Sequence, residues 1–145
     1  MYFVDREKIE EILSYMEDVQ REFLQHTYEG FAEKLLLERM THLTIEAMID
    51  VGNMMIDGFI MRDPGSYDDI IDILTDEKVL PSKEQEAYKS FIHLRKMVVQ
   101  QYTNVDHEIL ERLWGRHWSS LEAFPERIRQ YLNHELGPVS AFLKE

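Results

Sequence analysis

A chain of 145 residues with 44% hydrophobic and 30% charged side chains is long enough to bury one core, and its composition excludes a disordered chain. With no cysteine it has no disulfide framework and no thiolate metal site, which suits a reducing, cytoplasmic setting. A net charge of −12 opposes phosphate binding over the whole surface, so any contact with RNA has to come from a local basic island.

The opening MYFVDREKIEE has neither a basic n-region nor an apolar h-region, so no signal peptide is expected. No run approaches the roughly 20 apolar residues of a membrane span, and no membrane association is expected. Ile9, Ile12, Leu13, Met16, Val19 and Phe23 recur every three or four residues and predict a first helix, with Asp5 as its N-cap. Tyr28-Glu29-Gly30 breaks the pattern.

The next segment, Phe31 to Met61, carries Leu36, Met40, Leu43, Ala47, Val51 and Met54 on one stripe, with Leu37, Ile45, Met48, Met55 and Ile56 on other faces. A helix apolar over so much of its circumference belongs at the centre of a bundle or at an oligomer interface. Its methionines, Met40, Met48, Met54 and Met55, read as core or dimer packing. A polar stripe of Arg39, His42, Glu46, Asp50 and Asn53 runs along the same segment. His42 and Glu46, one turn apart, have metal-ligand chemistry, but such a stripe is more often a hydrated face. No metal or other cofactor is expected.

Arg62-Asp63-Pro64-Gly65 is a turn signal, and Ser66 with Asp69 predicts a capping box opening a short helix to Thr75. Pro81 marks the next boundary. Ser82 with Gln85 predicts a second box and a helix running towards Val99. Asp106 is expected to cap the last long segment, where Leu110, Leu113, Trp114, His117, Leu121, Phe124, Ile128, Tyr131 and Leu132 continue the stripe. On that stripe His117 reads as a satisfied core or interface side chain. Pro125 should kink or interrupt this helix, because it lacks a donor and crowds the preceding turn. Gly137-Pro138 should stop it. With no β-alternation, residues 1–145 read as a single all-α domain of up-and-down helices.

From Lys89 to Val105 there is no acid, while Lys89, Arg95 and Lys96 are basic. Inside this island, Phe91-Ile92-His93-Leu94-Arg95-Lys96-Met97-Val98-Val99-Gln100-Gln101-Tyr102 resembles the HepT-like motif of the HEPN superfamily, which reads Arg, four to six residues, His, one residue, Tyr. Arg95 and Tyr102 match at the right spacing, Gln100 stands where the histidine belongs, and Lys96 replaces the common Asn. Pro64-Gly65-Ser66-Tyr67-Asp68-Asp69 is similar to the family's connection after its second long helix, and the stripe from Arg39 to Asn53 is similar to that helix's polar face. The likeness spans nearly the whole chain and is nearest to a Gram-positive subgroup, the YutE type, with a similar Val-Gln-Gln-Tyr run.

The resemblance implies a HEPN-type four-helix bundle core with an extra short helix, dimerised so that two motifs face each other. It also implies metal-independent RNA cleavage, or a toxin neutralised by a nucleotidyltransferase partner that adenylylates the motif tyrosine. Metal-independent cleavage needs a base for the 2′-hydroxyl proton and a cation for the crowded phosphate. Arg95 can supply the cation, whereas Gln100 cannot exchange a proton near neutral pH.

His93 and His107 are the nearby substitutes. On a regular helix His93 falls about 200° from Arg95, so it is expected to point away within one subunit. By the same count Gln100 lies about 140° from Arg95 while Tyr102 shares its face. Because the resemblance implies that the histidine at that position works beside the arginine, the helix is expected to end or distort at Val99–Gln100. Otherwise Arg95 is a salt-bridge residue and Tyr102 simply packs.

The expectation is a degenerate, dimeric HepT-like module of a toxin–antitoxin-type system. It would bind RNA, a nucleotide or a nucleotidyltransferase around Arg95, Lys96, Gln100 and Tyr102, with ribonuclease activity lost or weakened. The rivals are an active metal-independent ribonuclease using another base, and a non-catalytic helical dimer.

Overall fold

Apolar side chains at helical spacing turn inward along every long segment, and the computed structural model, which describes residues 3–137, is all-helical. Its helices are α1 (Arg6–Phe23), α2 (Phe31–Gly58), α3 (Tyr67–Asp76), α4 (Gln85–His93), α5 (His107–Arg116) and α6 (Trp118–Leu136). A 3-10 turn at Ser82–Glu84 leads into α4, and a π-helical turn at Lys96–Gln100 follows it. Among the described residues no helix is long and apolar enough to cross a membrane.

α1 starts where its cap predicts: the Asp5 carboxylate accepts from the Lys8 N–H at 3.0 Å. Ile9, Leu13, Met16 and Val19 then bury one face. α2 is the centre of the molecule and packs against α1, α3, α4 and α5. Its buried residues, among them Leu37, Met40, Ile45, Met48, Val51 and Met55, run round most of its circumference. α3 approaches so closely at Gly52 that a Cβ there would collide with Ile70.

Half of the predicted first capping box forms. Ser66 Oγ accepts from the Asp69 N–H at 3.1 Å, but the Asp69 carboxylate turns back to Gly65 N and to Arg62 rather than to Ser66. The second box does not form. The backbone from Ser82 winds as a 3-10 turn, and Gln85 donates its side-chain amide to Asp72 Oδ1 at 2.6 Å, so it cannot reach back to Ser82. Buried Glu84 is held instead by a fork from Arg127, at 3.1 and 2.9 Å.

The last segment is two helices, and the break lies at His117, not at Pro125. Asp106 caps α5 as expected, accepting from the Ile109 N–H at 3.2 Å. Pro125 sits buried inside α6. Its missing donor would have gone to the Leu121 carbonyl, and buried Gln20 of α1 donates to that carbonyl instead, at 2.9 Å. His117, half-buried at the junction, has its pKa pushed down by burial. Gly137 ends α6 at φ 81°, a backbone region that favours glycine, and Pro138 lies outside the described residues. Beneath these helices Trp114 stacks on Phe23 at 4.3 Å and donates its indole N–H to Thr41 at 2.9 Å.

Candidate functional site

The basic island folds against the start of α3. α4 stops at His93, short of the predicted Val99, and the chain continues as the π-helical turn. That turn closes with the Gln101 N–H donating to the Lys96 carbonyl at 3.1 Å, an i→i+5 bond. Widening the turn brings residues five apart onto one side, so Gln100 comes round to Arg95, which a regular helix would not allow. This is the distortion that the motif spacing predicts.

The result is a recess of about 450 Å³. Ser66, Tyr67 and Asp68 form one wall, and Ile92, His93, Arg95, Lys96 and Gln100 form the other. Three of the four sequence candidates, Arg95, Lys96 and Gln100, therefore meet here. Tyr102 does not border the recess; it lies beyond the π turn with 67% of its surface exposed.

Arg95 Nε donates to Glu46 Oε1 of α2 at 2.8 Å, and its guanidinium carbon lies 5.0 Å from the Tyr67 ring centroid. The Glu46 hydrogen bond pushes the guanidinium pKa up from an already high value, so the cation is permanent. Nη1 and Nη2 make no hydrogen bond to any described residue, which leaves the two parallel donors that suit a phosphate. The salt bridge that the sequence offers as an alternative role for Arg95 is thus present, and it orients the residue without consuming it.

The remainder of the island is partly neutralised by its neighbours. Lys89 pairs with Asp72 of α3, while Lys96 is exposed at the rim. The polar stripe of α2 is a chain of contacts leading to the recess. His42 lies 3.6 Å from Glu46, and Glu46 holds Arg95. Among the described residues no group of three potential ligands could hold a metal ion.

His93 has a partner that its spacing did not indicate. His93, counted as facing away from Arg95, borders the same recess, and its Nε2 lies 2.6 Å from Asp68 Oδ2. Leu94 and Arg95 keep right-handed helical backbone, and α3 brings Asp68 to the imidazole. Asp68 and Tyr67 are the site residues that sequence reasoning missed. Their signal was present in the Ser-Tyr-Asp-Asp run of the capping box, but nothing in the spacing ties that run to α4.

A family model described as Ribonuclease HepT-like matches residues 6–128. The candidate RNase YutE of Bacillus subtilis (strain 168) is 54% identical over 143 residues, covering 98% of this chain and 99% of its own length. A solved structure of YutE, described as a cytosolic protein of unknown function, superposes with a TM-score of 0.94 at 54% identity, over 97% of this chain and 99% of that one. A tri-AMPylated Shewanella oneidensis HEPN toxin, solved in complex with MNT antitoxin, superposes with a TM-score of 0.76 at 17% identity, over 84% of this chain and 96% of that one. At that identity the last likeness concerns the all-helical fold alone.

Proposed function

This chain belongs to the HepT-like ribonuclease family, and from that premise we propose that it is a degenerate HepT-like module of a toxin–antitoxin-type system that binds RNA in the Arg95 recess. Its ribonuclease activity is lost or weakened, because Gln100 occupies the place of the motif histidine. The observation that carries the proposal is Arg95 itself: anchored through Nε, with both terminal nitrogens available beside an aromatic ring and the exposed Lys96. Such a recess suits a single-stranded nucleotide, whose phosphate meets the guanidinium while its base lies against Tyr67.

The module acts as a homodimer, a reading supported by Phe31 and Leu35, which leave 78% and 49% of their surface exposed at the start of α2. Exposed Tyr102, outside the recess, supports a second role for the same region as the target of a nucleotidyltransferase partner.

Fluorescence anisotropy of a labelled single-stranded RNA, with wild type and Arg95→Ala, tests the binding proposal. The variant should bind at least about ten-fold more weakly, and the slope of log affinity against log salt should become shallower by about 0.7 for the one lost phosphate contact. Arg95→Lys should recover only part of the affinity, since it restores the charge but not the fork. Equal affinity for wild type and Arg95→Ala, with unchanged melting temperatures, sinks the proposal.

A further inference from the structure

We propose that His93, oriented by Asp68, is the general base of this site in place of the absent motif histidine. The proposal rests on the RNA-binding reading above and decides, within it, that the ribonuclease activity is weakened and not lost.

Three observations support the assignment. His93 borders the same recess as Arg95, so a ligand there has both side chains on its boundary. Its Nε2 lies 2.6 Å from Asp68 Oδ2, and an ionised carboxylate only accepts, so Nε2 carries the proton and donates. In the neutral ring that leaves Nδ1 with a free lone pair, on a side chain that keeps 64% of its surface open. The other Asp68 oxygen, Oδ1, is shielded from solvent and accepts no hydrogen bond from any described residue. The imidazole is that carboxylate's hydrogen-bond partner, with Lys89 acting on it through space, and such a bond fixes a tautomer.

The charges facing the imidazole are accounted for. On α3 there is Asp68; on its own segment there are Lys89, which pairs with Asp72 and also acts on Asp68, and Arg95 and Lys96, which border the same recess. Glu46 of α2 is engaged with Arg95. His107, the other histidine near the motif, pairs with Glu38 at 2.7 Å and borders a different recess, beside Tyr28 and Lys34.

The step balances with water as a proton carrier only. The proton of an RNA 2′-hydroxyl passes to His93 Nδ1 as O2′ attacks the adjacent phosphorus. The bond from phosphorus to O5′ breaks, and O5′ takes a proton from water. The hydroxide left takes the proton from His93 Nδ1, so the imidazole returns to neutral and no water is consumed. The products are a 2′,3′-cyclic phosphate and a 5′-hydroxyl. Arg95 Nη1 and Nη2 hold the charge that builds on the non-bridging oxygens. Asp68, which hydrogen-bonds to the imidazole and takes no part in the proton transfer, is a positioning residue.

The test is turnover of a defined RNA oligonucleotide in EDTA, with product ends identified by mass. Wild type should leave a cyclic phosphate. His93→Gln should lower kcat at least about a hundred-fold with little change in KM, the range expected for removing a general base. His93→Gly should regain part of its rate on addition of imidazole, a rescue that a merely structural histidine would not show. Asp68→Asn should lower kcat, and Asp68→Glu should retain more of it; thermal melts confirm that each variant folds. A wild type that binds RNA without cutting it, or a His93→Gln protein that cuts at the wild-type rate, overturns the dyad and leaves the binding reading standing. A wild type that binds no RNA overturns both.

Discussion

The Asp69 carboxylate gathers three donors at the start of α3: both terminal nitrogens of Arg62, at 2.7 and 2.8 Å, and the Gly65 N–H at 2.9 Å. The Arg62 hydrogen bonds first, and the Gly65 bond second, pull its pKa from 3.8 down to about 2. A carboxylate with a depressed folded pKa contributes stability that is present above its unfolded pKa and lost as pH falls through the folded one. For Asp69 that window runs from 3.8 down to about 2. Asp69→Asn should therefore lower the melting temperature at neutral pH and flatten its decline across that window. Wild-type and variant curves that stay parallel below pH 3.8 would show that Asp69 contributes nothing there. Glu17, lowered by its hydrogen bonds from Arg129, adds to the acid sensitivity in the same direction. The turn that Asp69 stabilises also aims Tyr67 and Asp68 at the recess, so this is a scaffold residue for the site.

At the scale of elements, two helical irregularities shape the molecule, and each has a chemical cause. Pro125 leaves the Leu121 carbonyl without its helical donor, and Gln20 reaches across from α1 to fill it. Gln20→Leu should cost about 1–3 kcal/mol, the penalty for a buried carbonyl left unpaired. Adding Pro125→Ala, which gives the helix its own N–H at that place, should recover much of the loss. Urea denaturation of the single and double variants measures this, and additive losses would refute the link. The π turn at Lys96–Gln100 does different work. It inserts no special residue type, but it rotates Gln100 towards Arg95 and carries Tyr102 out to the surface. In doing so it divides the motif between a recess and an exposed tyrosine.

For the whole molecule, charge is the first consideration. At −12 overall, the RNA binding we propose falls to the few donors of one recess, and the rest of the surface favours partners with basic faces. A nucleotidyltransferase that reaches Tyr102 is the partner we propose. Incubated with ATP and a nucleotidyltransferase, the wild-type protein should gain a nucleotidyl adduct and Tyr102→Phe should not. An adduct that persists in Tyr102→Phe, or none on the wild type, removes Tyr102 from that role. The wide burial of α2 ties this surface to the core, because Glu46 stands on the same helix whose other faces pack against α1, α3 and α5.

Periodicity, caps and turn chemistry were local properties, and they sufficed for an all-helical chain, for α1 and its Asp5 cap, for a central α2, for the Ser66 start of α3 and for the Asp106 start of α5. The resemblance, with the helix count, placed a distortion at Val99–Gln100, and the π turn at Lys96–Gln100 includes those residues. Other features depended on contacts between segments far apart in the chain. Pro125 could stay inside a helix only because a side chain from α1 supplied the missing donor. Ser82 lost its box because Gln85 had a better partner on α3. His93 met Asp68 across a separation of 25 residues, a pairing that no helical angle could indicate. A sequence records which donors and acceptors each residue owns; only the packed chain decides which of them meet, because that choice is made by burial and by competition among partners that no local pattern contains.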